Sequence, residues 1–281
     1  MSETWEHGLL AVDGVNLEYR RRDPRSDGTP TLVFLHEGLG CVALWKDFPD
    51  KLAAATGCGV FVYGRAGYGR SDPVPLPRAV RYMHDEGLGV LPRVLDVVGI
   101  KRAVLIGHSD GASIAIIHAG SGEARNVAGL ILLAPHVFNE DISRQGIQAA
   151  KVAYETTDLR RRLQRYHGDN VDNAFWGWND IWLHPDFRAW NIEEFLPGVT
   201  VPTLVIQGED DQYGTLAQVE AIRVQAGESP ETLILPDCGH SPHVDKPTET
   251  LAGMAAFLRR TGLVGASGGP LPPDGALDSD A

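Results

Sequence analysis

The sequence predicts an α/β protein, a doubly wound and mostly parallel sheet with an inserted helical lid. Three observations predict it. Short β-branched or leucine-rich runs alternate with helical patterns along the chain. One interval breaks that alternation and concentrates aromatic residues. Glycine and proline number 32 and 18 of 281 residues, which is high for a helical bundle and ordinary for repeated strand–loop–helix units.

The elements follow in order. Val15–Tyr19 alternates apolar and polar side chains, as an exposed or edge strand does. Thr31–His36, Gly59–Tyr63, Ala103–Ile106, Gly129–Ala134, Thr203–Gln207 and Thr232–Leu235 are runs of the kind buried on both faces of a parallel sheet. Helical patterns lie between them at Val42–Ala55, Ala79–Val98, Ala112–Ala119, Leu216–Ala226 and Thr248–Arg260. From His136 to about Pro197 two strands stand far further apart than the dozen or so residues that a plain crossover needs. That interval holds Trp176, Trp178, Trp182 and Trp190 together with Phe175, Phe187 and Tyr166. It reads as a helical lid on the sheet. The expected division is a core of residues 1–135 and 198–261, a lid of 136–197 and a flexible tail of 262–281. The tail is rich in Gly, Pro, Ala and Asp and has too little apolar area to offset the entropy of ordering.

Composition narrows the function classes. The chain is 43% apolar and 22% charged, an ordinary globular balance. Its longest apolar stretches, such as Leu130–Ala134, fall far short of the roughly 18 residues that span a bilayer. Met1–Gly8 lacks the basic start and apolar middle of a secretory signal, so a cytoplasmic protein without a membrane partner is expected. A formal charge of −12 without a basic stripe argues against nucleic acid. Cys41, Cys58 and Cys238 are scattered and odd in number, and read as small buried hydrophobes. A small-molecule substrate is the expected partner, and no feature specifies an oligomer.

The chemistry centres on Gly107-His108-Ser109-Asp110-Gly111, a GxSxG pentapeptide. The strand Ala103–Ile106 precedes it and a helix follows, which is the setting of a nucleophile elbow. A sharp turn there exposes the Ser109 hydroxyl, and glycines at 107 and 111 avoid collisions across it. Serine needs a base, and the base needs an orienting acid. After the strand at 203–207 comes Gly208-Glu209-Asp210-Asp211, and after the strand at 232–235 comes Cys238-Gly239-His240-Ser241-Pro242-His243. Both loops follow strand carboxyl ends, where open α/β sheets place their sites. His240 is the expected base and Asp211 the favoured acid, ahead of Asp210 and Glu209. His243 is expected at the surface or capping a helix, and His108 packed beside the sheet. No further ligand cluster supports a metal site.

At these residues the chain resembles the α/β-hydrolase fold family, over about residues 8–261. The Ser109 elbow, the Asp211 loop, the Gly239-His240 loop and the lid position carry the likeness, with His36-Glu37-Gly38-Leu39-Gly40 and Arg65-Ala66-Gly67-Tyr68-Gly69-Arg70-Ser71-Asp72 after the third and fourth strands. The resemblance implies an oxyanion hole formed by the backbone N–H groups of Gly38 and Asp110. One such donor is typically worth about 3–4 kcal/mol. Two positions depart from the family pattern: Glu37 stands where a glycine is usual, and Gly64 where an aspartate is frequent. A salt bridge from Glu37 to Arg65 is expected to brace the loop, since an unpaired buried carboxylate is costly.

A serine nucleophile disfavours the dehalogenase and epoxide hydrolase branches, which use aspartate. It fits esterases, lactonases, thioesterases and carbon–carbon bond hydrolases. The expected activity is a serine hydrolase of a carboxylic ester or lactone, working through an acyl-enzyme with no cofactor. The other readings are hydrolysis of carbon–carbon bonds in ring-cleavage products and slow-turnover sensing of a small molecule. The aromatic lid favours a small to medium apolar or aromatic substrate, with Trp176 and Trp178 as expected pocket residues. Arg160, Arg161, Arg162 and Arg165 fan around a helix and are expected to form a solvated face.

Overall fold

The computed structural model describes residues 4–265. Eight strands form one sheet: β1 Glu6–Val12, β2 Val15–Arg22, β3 Thr31–Leu35, β4 Gly59–Tyr63, β5 Ala103–His108, β6 Val127–Leu133, β7 Thr203–Gly208 and β8 Glu231–Leu235. Their order across the sheet is β1-β2-β4-β3-β5-β6-β7-β8. Strands β3 to β8 run parallel to one another, and β1 and β2 pair antiparallel at one edge. Strand β1 is absent from the expectation. Its signal is Asp13-Gly14, both at positive φ (49° and 83°), a two-residue turn whose twist suits a hairpin.

Strands β3 to β7 are buried on both faces, whereas β8, expected to be so too, is the sheet's edge, with Thr232 exposed and only Leu235 buried. Leu32, Phe34, Val60, Val62, Val104 and Ile106 share one core with Leu52, Met254 and Phe257. Val33, Leu35, Phe61 and Leu105 share the other with Leu91, Ile117 and Trp182. Each such large apolar side chain contributes about 1.5–3 kcal/mol on burial. Leu263 and Val264, placed in the expected tail, belong to the first of these cores, and the tail from 266 onward lies outside the described residues.

The helices on the core are α1 Phe48–Thr56, α2 Tyr82–Asp85, α3 Leu91–Val98 and α4 Asp110–Gly120. The expected helix at 42–55 is divided: a 3-10 turn, Val42–Trp45, is separated from α1 by Lys46 at φ 49°. A π turn, Glu86–Val90, joins α2 to α3. There Gly87 lies so close to α4 that a Cβ would meet the Ile114 carbonyl oxygen at 3.0 Å. Between β6 and β7 the insertion folds as α5 Asp141–Thr156, α6 Leu159–His167 and α7 Val171–Leu183, followed by 3-10 turns Pro185–Ala189 and Glu193–Gly198. Three side chains tie it to the loop after β4. His167 Nδ1 accepts from the Gly69 N–H at 3.1 Å, Asn170 donates to the carbonyls of Gly69 and Ser71, and Asn173 donates to the Val74 carbonyl. The remaining helices are α8 Leu216–Gln225, α9 Pro242–Asp245 and α10 Pro247–Arg260. Among the described residues no helix is long and apolar enough to cross a membrane. Cys41, Cys58 and Cys238 are buried and free of disulfides.

Candidate active site

The carboxyl ends of five parallel strands deliver Glu37 and Gly38 after β3, Ser109 after β5, His136 after β6, Asp211 after β7 and His240 after β8. Ser109 occupies the single residue between β5 and α4, with φ 52° and ψ −117°. A non-glycine residue held there costs about 1–3 kcal/mol. Close packing imposes it. A Cβ on Gly107 would lie 2.4 Å from the Gly111 carbonyl oxygen, and one on Gly111 would lie 2.0 Å from that of Leu35. The Ala112 and Ser113 N–H groups fold back onto the Ser109 carbonyl at 2.9 and 3.1 Å.

His240 Nδ1 lies 2.9 and 2.8 Å from the two carboxylate oxygens of Asp211. Asp211 also accepts from the N–H groups of Tyr213 and Gly214 at 2.7 and 3.2 Å and from Gln207 Nε2 at 2.7 Å. Burial raises its pKa, but His240 and the Tyr213 N–H outweigh burial and hold the carboxyl below its usual range. Glu209 and Asp210 are exposed, so Asp211 alone of the three meets His240.

Ser109 and His240 line one cavity of about 90 Å³. Gly38, Leu39 and Glu37 form one wall, His136 and Tyr213 another, and Ser143, Ile147, Trp178 and Trp182 of the insertion cover it. The family model described as "Alpha/beta hydrolase family" matches residues 32–253, a span that contains Ser109, Asp211 and His240.

The chain belongs to the alpha/beta hydrolase family. It is similar to the sn-1-specific diacylglycerol lipase ABHD11 of Danio rerio, at 25% identity over 89% of this chain and 85% of that protein. It is similar to the proline iminopeptidase of Lactobacillus helveticus, at 22% identity over 89% of this chain and 97% of that one. Among solved structures, the enol-lactonase from Burkholderia xenovorans superposes with a TM-score of 0.70, at 20% identity, covering 89% of this chain and 99% of that one.

Three expectations for this alpha/beta hydrolase need correction. Trp176 does not line the cavity: its ring packs edge-on to Tyr154 and Phe175, with the Lys151 ammonium 5.5 Å away. Trp182, one turn from Trp178 on α7, takes that place. Glu37 does not bridge to Arg65. The Arg65 guanidinium donates to the backbone carbonyls of His36 and Glu37, and the Glu37 carboxylate turns to His108 Nδ1 at 3.4 Å. Backbone carbonyls left at the end of β3 take the Nη1 and Nη2 hydrogens of the guanidinium, while the carboxylate lies toward His108. His243 is buried rather than superficial, its ring 4.8 Å from Trp45 and 5.0 Å from His108, because α9 folds onto the sheet. The arginines of α6 behave as expected for a solvated face, with Arg160 paired to Asp172 and both Arg161 and Arg162 to Asp158.

Other polar groups at the cavity escaped sequence reasoning. The Asp110 carboxylate, fully buried, accepts from the Tyr82 hydroxyl and from Trp182 Nε1. Burial raises its pKa against the opposing pull of Arg65 and these donors. His136 is buried and neutral, pushed down to about 3 first by burial and then by His240. The only available signal was position: each of these residues follows a strand or a residue already implicated.

Geometrically, the site offers a hydroxyl on a strained turn, an imidazole oriented by a carboxylate, and an apolar cover. That combination suits addition of the hydroxyl to an electrophilic carbonyl with proton transfer through the imidazole.

Proposed function

We propose that the protein is a serine hydrolase that cleaves a carboxylic ester or lactone through an acyl-enzyme on Ser109. The observation that carries this reading is the pairing with both oxygens of Asp211 of a histidine, His240, that lines the same cavity as Ser109 on its positive-φ turn. In this scheme His240 takes the Ser109 proton as the hydroxyl adds to the carbonyl, then returns it to the leaving oxygen. Asp211 holds the Nδ1–H tautomer and stabilises the cation. The N–H groups of Gly38 and Asp110 receive the developing oxyanion. Water, activated by the same histidine, releases the acid, so the cycle consumes only water and needs no cofactor.

The cavity favours a short acyl group. Its volume of about 90 Å³ is below the roughly 150 Å³ that admits benzene in an apolar protein cavity. A larger aromatic substrate needs more room than this, and displacement of the inserted helices, acting as a lid, would supply it. The relatives named as a lipase, a lactonase and a peptidase define the first substrates to compare: esters, lactones and peptides.

The test is covalent labelling of the purified protein with a fluorophosphonate, read by intact and peptide mass. A single adduct on Ser109, lost in His240→Ala, supports the reading and leads to the substrate panel. A folded protein that takes no adduct overturns it and points to ligand binding without turnover, to be followed by ligand-dependent melting.

A further inference from the structure

The residue before the nucleophile connects two loops that the proposed reaction uses. His108, the last residue of β5, is 1% exposed. Its Nε2 lies 2.8 Å from the backbone carbonyl oxygen of His240, and its Nδ1 lies 3.4 Å from Glu37 Oε2. A ring nitrogen that faces a carbonyl oxygen carries its hydrogen. Nδ1 therefore shares one further proton with the Glu37 carboxyl group, and the ionised form of that arrangement is a carboxylate–imidazolium pair.

The surroundings favour the ionised form. Glu37 faces His36 and His243 besides His108. His36 is neutral, because Nε2 accepts the Arg65 N–H at 3.1 Å while Nδ1 donates to the Glu37 carbonyl at 2.7 Å. His243 is neutral, pushed down to about 3 by burial and then by His108. His108 itself faces His240, His243 and Trp45 at ring separations of 5.2, 5.0 and 6.4 Å, with Asp211 beyond His240. Burial lowers the His108 pKa, yet Glu37 and the His240 carbonyl outweigh it and raise the group. Burial likewise raises Glu37, and the hydrogen bond and charge of His108 outweigh burial and hold it well below the usual carboxylate range.

Glu37 immediately precedes Gly38 and lines the cavity beside Ser109. An uncompensated carboxylate at that point opposes any negative charge that develops on a substrate oxygen. We propose that Glu37 and His108 form a compensated charge clamp, in which His108 neutralises Glu37 beside the oxyanion loop and holds the His240 loop through its backbone carbonyl. Both are positioning residues. The inference rests on the serine hydrolase reading.

The test is a double-variant cycle on the rate of fluorophosphonate labelling at Ser109, alongside kcat and KM for an ester that the native protein turns over. Labelling of the native protein is established first, because its failure refutes the hydrolase reading and not the clamp. His108→Gln exposes the Glu37 charge, and labelling slows on the order of 10- to 100-fold, with the loss in kcat rather than KM. Glu37→Gln costs less. The double variant Glu37→Gln/His108→Gln recovers to within about threefold of Glu37→Gln alone, a non-additive rescue that general loosening of the loops does not produce. If His108→Gln does not fold, recovery of a cooperative melt in the double variant is the same rescue. A double variant as slow as the product of the two singles, or as unfolded as His108→Gln, overturns the clamp.

Discussion

The Asp110 carboxylate accepts the indole N–H of Trp182 at 3.2 Å, joining the first residue of α4 to the helix that covers the cavity. The same carboxylate accepts the Tyr82 hydroxyl, so one buried group serves two donors from two parts of the chain. Asp110→Ala leaves both unsatisfied, at about 1–3 kcal/mol each. Asp110→Asn retains an acceptor for one of them. The expected order of melting temperature is native, Asp110→Asn, Asp110→Ala. Trp182 fluorescence should redden in the last, and an unchanged melt in Asp110→Ala contradicts the coupling.

Ser109→Ala and Asp211→Asn separate nucleophile from orientation. Ser109→Ala should abolish labelling, with a melting temperature close to native because the side chain is small and the turn is retained. Asp211→Asn should lower kcat by roughly 10⁴-fold, the effect of a wrongly held imidazole tautomer. It also replaces an acceptor that meets the Tyr213 and Gly214 N–H groups, so a modest stability loss accompanies it. Stopped assays on both variants, with thermal melts, check the pair.

Gly38 has no room for a side chain, since a Cβ would lie 2.1 Å from two atoms of the Trp178 indole. Gly38→Ala should cost roughly 1–3 kcal/mol through overpacking and slow labelling by displacing the loop. On a Trp178→Ala background the same change should slow labelling less. Equal slowing on both backgrounds argues against the contact as the cause. Trp176→Ala, outside the cavity, should leave kcat/KM within about twofold of native.

Stability should fall in mild acid. His36, His136 and His243 are buried with pKa values depressed first by burial, the last two to about 3. Below about 6.5 the unfolded chain binds protons at these sites and the folded one does not. Stability is then complete above about 6.5 and declines as pH falls, toward about 3 for His136 and His243 and in the same direction for His36. Asp211, also depressed, adds a loss in the same direction at lower pH. His108, raised by Glu37, has the opposite sign, and its contribution disappears as pH rises through its folded value. Urea unfolding at pH 7 and pH 5 should show a clear drop that His243→Phe reduces, and a flat response would contradict buried neutral histidines.

Much of this protein was legible from local pattern. The runs at 31–36, 59–63, 103–106 and 203–207 became β3, β4, β5 and β7 because doubly buried strands require continuous apolar sequence. Ser109, Asp211 and His240 were legible because each follows a strand of the parallel sheet, so chain position alone brings them to one end of it. Strand β1 was missed: an edge strand buries little and its pattern is weak, which left Asp13-Gly14 as its main mark. The destinations of the Glu37, Asp110, His243 and Trp176 side chains were not legible. Glu37 chose between Arg65 and His108, residues 28 and 71 positions away. Trp176 and Trp182 differ only in which side of α7 meets the cavity, and that is set by how the inserted helices seat on the core. The order of elements and the residues delivered to the strand ends follow from local periodicity and short connections, so the amino-acid pattern suffices for them. Which polar groups pair inside depends on angles and distances between segments far apart in the chain, and those exist once the segments have packed.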